Sequence, residues 1–124
     1  MKALGRTGIL ALAVMALTVP ANAGPHEDGL AAYRRGDYAT TLRLWRPPAE
    51  QGQAWAQYNL GLMHRDGEGV PQDYAAAHMW LTLAAAQGFE NAKSDRDIIA
   101  RRMTHGQIEE ATLLVREWRA RHPQ

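Results

Sequence analysis

One stretch of this chain occurs twice, 36 residues apart. Residues 37–52, DYATTLRLWRPPAEQG, and residues 73–88, DYAAAHMWLTLAAAQG, share Asp37/Asp73, Tyr38/Tyr74, Ala39/Ala75, Ala49/Ala85, Gln51/Gln87 and Gly52/Gly88. A repeat of this length is one supersecondary unit. It cannot bury its own apolar face and must stack on copies of itself. Few folds are left open by that constraint, and all of them are quasi-one-dimensional arrays.

The unit is complete in residues 53–88. From Ala54 to Arg65 the packable residues Ala56, Leu60, Met63 and His64 recur at helical spacing, with no alternation. Gly61 costs a helix about 1 kcal/mol relative to Ala, so its place beside Leu60 implies a neighbouring helix that must come close. Asp66-Gly67-Glu68-Gly69 then stops the helix. Pro71 suits a helix entry and Asp73 a first turn. Tyr74, Ala77, Trp80 with Leu81, Ala84 and Ala85 form the stripe of a second helix, which Gly88 closes. Two helices joined in this way are an antiparallel hairpin.

The pattern carried by Ala56, Leu60, Gly61, Gly67, Gly69, Val70, Asp73, Tyr74, Ala77, Trp80, Ala84, Ala85 and Gly88 resembles the Sel-one-like repeat family, a branch of the tetratricopeptide superfamily. His64 departs from it, standing where that family usually has Tyr. The resemblance implies an all-α fold, a short right-handed α-solenoid of about three helix-turn-helix hairpins.

Residues 1–23 have the form of a secretory signal: basic Lys2 and Arg6, an apolar run from Ile9 to Val19, and an Ala21-Asn22-Ala23 cleavage site. The apolar run is about half the ~20 residues that a spanning helix needs, which favours cleavage after Ala23 over an uncleaved anchor. With no cysteine anywhere, neither a lipid-modified cysteine nor a disulfide is available. Residues 24–124 are then the repeat domain, expected in the periplasm. It carries 12 Lys and Arg against 13 Asp and Glu, so nothing in its charge argues for nucleic acid.

Within that domain, residues 26–52 form a degenerate repeat with a short helix over His26–Arg35, a tight turn at Gly36-Asp37, and an irregular turn near Arg46 forced by Pro47-Pro48. Residues 53–88 are the full repeat, and 89–120 are C-terminal capping helices. Ala92 keeps the small residue of Ala56, and Ile98, Ile99 and Met103 are the apolar positions of the first capping helix. Thr104-x-x-Gln107 reads as a capping box opening a helix with Ile108, Ala111, Leu114, Val115 and Trp118 on one face. The segment Arg102-Met103-Thr104-x-x-Gln107-Ile108 also resembles the C-terminal cap of small exported Sel-one-like proteins.

Chemistry is sparse. His64 and His78 sit on facing helices, but no His-x-x-x-His or Glu-x-x-His pair builds a zinc site. His78 reads as a surface residue, and His26, His105 and His122 as solvated. Asp66 and Glu68 are too few for calcium. After the leader, Ser94 is the only serine, and it has no nucleophile motif. Asp95/Asp97 and Glu109/Glu110 read as solvated charges. No metal, cofactor or catalytic set is expected.

Trp80 and Trp118 fall on core stripes. Trp55, Tyr58, Leu62 and Arg65 lie on the other side of their helix from Ala56 and Leu60. The family resemblance places such positions, with Tyr33 extending them, on a concave groove that holds peptides. Aromatic residues and Arg are also the types enriched at binding hot spots. Packing of Trp55 or Tyr58 against a neighbouring hairpin is the alternative, and both stay open. The expected function is a non-enzymatic periplasmic adaptor binding an envelope protein or peptide. The alternatives are a small envelope enzyme or ligand-binding protein with a pocket joining His64, Asp66 and His78, or a self-associating structural unit.

Overall fold

A computed structural model describes residues 23–123. The leader reading, with its cleavage site, lies outside those residues apart from Ala23. Among the described residues there are six helices and no strand: α1 (Pro25–Arg34), α2 (Tyr38–Glu50), α3 (Ala54–Asp66), α4 (Tyr74–Ala86), α5 (Glu90–Ala100) and α6 (His105–Arg121). No helix among them is long and apolar enough to cross a membrane.

The repeated residues act at helix ends. Asp37 and Asp73 are the N-caps of α2 and α4, accepting from the backbone N–H of Thr40 at 3.2 Å and of Ala76 at 3.1 Å. Asp73 is therefore the cap itself, and Pro71 lies in the loop ahead of it. Gly52 and Gly88 follow the C-caps of these helices with φ of 89° and 85°, backbone that a side chain rarely adopts. The Thr104/Gln107 capping box opens α6 as expected.

α2 does not break at Pro47-Pro48. It runs through both to Glu50, because the prolines fall in its last turn. The donors they lack would have served Arg43 and Leu44, on a turn whose residues 43, 46 and 47 are exposed to water. Their own carbonyls still accept from Gln51 and Gln53, each at 3.0 Å.

Each of the first two hairpins closes on a glycine. A Cβ on Gly61 would lie 2.8 Å from Leu81 Cγ, and one on Gly29 would collide with the Trp45 indole. Trp45 and Leu81 are themselves 36 residues apart. Gly29 and Gly61 are four residues closer because the α1–α2 turn is four residues shorter. The two contacts are thus the same contact, and the worn first repeat keeps it.

α4 is the centre of the molecule, packing on α3, α5 and α6. The single stripe expected on it is in fact two buried faces. Met79, Trp80 and Leu83 join Leu42, Trp45, Leu60, Val115 and Trp118 in one core cluster. Ala77, Leu81 and Ala84 join Ala92 and Ile99 in a second. A helix apolar all round is one buried all round. α6 takes α4 rather than α5 as its principal partner, and Trp118 donates to Glu50 of α2 at 3.2 Å. Ile98, expected among the buried positions of α5, is 49% exposed, since Ile99 and not its neighbour faces α4.

Gly61→Ala is expected to destabilise the domain by about 1–2 kcal/mol. The overpacking cost exceeds the roughly 1 kcal/mol of helix propensity gained. Urea denaturation checks this, and a stabilised variant would show that α3 and α4 are free to separate.

Candidate functional site

The first helices of the successive hairpins, α1, α3 and α5, are joined side by side by two tyrosines. The Tyr33 hydroxyl on α1 lies 2.9 and 2.8 Å from the two carboxylate oxygens of Glu68, at the end of α3. Tyr58 on α3 donates to Asp95 Oδ2 on α5 at 2.7 Å. Both contacts span about one repeat length. Glu68 and Asp95 are therefore acceptors between hairpins rather than a calcium candidate and a solvated charge.

These bonds hold the phenols protonated. The Glu68 carboxylate pushes the Tyr33 pKa up to about 12. Burial, then the bond to Asp95, does the same at Tyr58, also to about 12. The ring of Tyr58 packs 4.7 Å from Phe89, and that of Tyr33 lies 5.3 Å from Tyr38 and 6.3 Å from Trp45.

Trp55 is half-buried against the first core cluster. Its ring meets His26 edge-on at 4.6 Å and Trp45 at 6.2 Å, and its Nε1 donates to Gln53 at 2.7 Å. His26 therefore packs on an indole. Leu62 and Tyr58 belong to the second cluster. The five candidate residues consequently divide: Tyr33 and Trp55 face the α1 side, Tyr58 and Leu62 the α5 side. Arg65 stands at the C-terminal end of α3, bonded by Nε and Nη2 to the Asp66 carboxylate at 2.8 and 3.0 Å.

Arg65 opens onto a cleft of about 400 Å³ lined by Asp66, Gln72, Tyr74, Ile98, Ile99 and Arg102. Tyr74, Ile98 and Ile99 supply its apolar lining, and Arg65, Arg102 and Asp66 its charges. Ile98 and Arg102, read in the sequence as an apolar helix position and part of the C-terminal cap, were not among the candidate site residues. Their signal is an isoleucine pair of which only one member can face α4.

The histidines do not converge. His64 is acted on by Asp73 and Arg46, and His78 by Arg96 and Asp97. His78 is half-buried rather than a surface group, and burial lowers the pKa of both histidines. His64 Nδ1 is buried without a hydrogen-bond partner. His122, expected in solvent, stacks on Trp118 at 4.0 Å and sits 3.5 Å from Glu50. Asp66 and His78 line separate clefts. Among the described residues no group of three or more His, Asp or Glu could hold a metal ion.

With this geometry in place, comparison with known proteins is direct: residues 56–89 match the Sel1 repeat. That segment, the α3–α4 hairpin, is therefore similar to a Sel1 repeat. It is 40% identical over 65 residues to chitin synthase regulatory factor 3 of Schizosaccharomyces pombe, a match covering 50% of this chain and 7% of that protein. It is 43% identical over 79 residues to an uncharacterized protein of Neisseria meningitidis serogroup B, covering 60% of this chain and 17% of the other. The chain thus spans less than a fifth of the length of either relative. No solved structure is a significant match. Sel1 repeats generally mediate protein–protein interaction. The matched segment contains Gly61, Leu81 and three of the five candidate site residues, Tyr58, Leu62 and Arg65.

The tyrosine bonds give a pH signature. Both phenols titrate higher in the folded chain than in the unfolded one. Their contribution is therefore fully present below pH ~10 and is lost as pH rises toward ~12. Urea denaturation of the wild type should show stability falling across that window, and Tyr33→Phe/Tyr58→Phe should flatten the fall. An unchanged slope in the double variant would place the titrating groups elsewhere.

Proposed function

We propose that this protein is a non-enzymatic interaction module of the bacterial periplasm. In this reading it holds a peptide or protein segment on the face formed by α1, α3 and α5. The observation that carries the reading is the exposed Ile98, bounded by Arg65 and Arg102 at the ends of α3 and α5. An aliphatic side chain of the partner fits against Ile98, and a neighbouring carboxylate fits the arginines, whose guanidinium groups favour such pairs. Tyr33 and Tyr58 hold the face together by bonds inside the chain, so they present ring surface rather than free hydroxyls. Trp55 presents one half-buried edge.

Support for non-enzymatic action is the character of the cleft: it offers apolar contact and charge but no nucleophile beside a base. Support for the periplasm is the form of residues 1–23. The test of export is the intact mass of the protein recovered from the periplasmic fraction, expected to begin at Gly24. Recovery of the full-length mass from the membrane fraction would overturn it.

Selection from a random peptide library should enrich sequences with an aliphatic residue beside Asp, Glu or a free C-terminus. Their affinity should fall by about ten- to a hundredfold in Ile98→Asp, since a buried aliphatic contact contributes about 1–3 kcal/mol. Arg102→Glu should weaken them in the same direction. Leu113→Ser, at an exposed leucine on α6, should leave them unchanged. Binding lost in Leu113→Ser and kept in Ile98→Asp would move the site to α6.

A further inference from the structure

Because α6 packs on α4 and not along α5, a groove of about 270 Å³ is left beside α4. His78 and Thr82 of α4 line one wall, Thr112, Arg116 and Arg119 of α6 the other, and Ala111 and Val115 the base. The Thr82 hydroxyl lies 3.4 Å from His78 Nδ1, and with that nitrogen accepting, the ring's proton is on Nε2. Arg116 and Arg119 are exposed and make no ion pair among the described residues.

Positive potential reaches the groove from a third helix as well. The pKa of His78 is lowered first by burial and then by Arg96 of α5, with Asp97 opposing. Those are the charged groups acting on the ring from α5; Arg116 and Arg119 stand across the groove on α6, and none from α3 is among the groups acting on it. At neutral pH the imidazole is uncharged and the groove is cationic through its arginines alone.

We propose that this groove binds a phosphate-type oxyanion, with the guanidinium groups of Arg116 and Arg119 meeting its oxygens and His78 donating from the opposite wall through Nε2, while the Thr82 hydroxyl holds the ring at Nδ1. Arginine forks match the geometry of such an anion, and the part of Val115 that reaches the surface at the base meets the carbon substituent of a phosphate monoester. This site is separate from the Ile98 cleft and does not depend on the peptide-binding reading.

The test follows the His78 ring signals of the full chain by NMR at constant ionic strength. Inorganic phosphate is titrated in one arm and glycerol 3-phosphate in the other, with the signals assigned by their loss in His78→Gln. The expected result is a saturable shift together with an upward move of the His78 titration midpoint. Arg116→Gln and Arg119→Gln, both on exposed positions and so expected to fold, should each weaken binding about tenfold. A non-saturable shift, or equal affinity in the wild type and both arginine variants, would overturn the site. Tighter binding of glycerol 3-phosphate than of phosphate supports the monoester, and equal or weaker binding overturns that part.

Discussion

The structure depends on two helices coming closer than side chains ordinarily allow. Within each of the first two hairpins a glycine on the first helix receives a large side chain from the second: Gly29 takes the Trp45 indole and Gly61 takes Leu81. A glycine in a helix is unfavourable by itself. It is retained because the close approach buries Trp45 and Leu81, 3% and 0% exposed, in the middle of their hairpins. The rest of the stack is built on hairpins already closed in this way.

From that closure the remaining architecture follows by division of α4. One of its faces completes the cluster that contains both Trp45 and Trp118, and the other completes the cluster under α5. α6 is drawn to the first cluster, where Trp118 reaches Glu50 at the end of α2. α5 is drawn to the second. The last two helices therefore part from each other, and what a third closed hairpin would have hidden remains accessible: Ile98 on one side, and the His78–Arg116 groove on the other. The Ile98 cleft and the His78–Arg116 groove are thus consequences of how the array ends.

Much of this was legible in the sequence. The 36-residue repetition, the capping box at Thr104 and the burial of Trp80 and Trp118 all rest on local chemistry or periodicity, whereas Asp37 and Asp73, read as a turn residue and a first-turn residue, are the N-caps of α2 and α4. Gly61 was readable as a close approach because a helix tolerates glycine only for a reason. Gly29 was hidden by register, since the shorter α1–α2 turn moves it four residues out of the repeat frame. The prolines of α2 misled because their effect depends on which turn they occupy. The candidate site was read less well. Tyr33 and Trp55 pack against one core cluster and Tyr58 and Leu62 against the other. What the sequence does not reveal is that Glu68 accepts from Tyr33 and Asp95 from Tyr58, because such contacts join residues a whole repeat apart. Ile98 and Ile99 are adjacent isoleucines, and only the docking of α5 on α4 decides which is buried.

The most direct test of the closure is a double-mutant cycle between Gly61 and Leu81, measured as unfolding free energy in urea. If close approach is what the glycine provides, Gly61→Ala should cost stability in the wild type and cost little or nothing once Leu81→Ala has emptied the space its Cβ needs, a coupling of about 1 kcal/mol or more. Equal cost in both backgrounds would mean that Gly61 and Leu81 act independently, and that the hairpin is not closed by their contact.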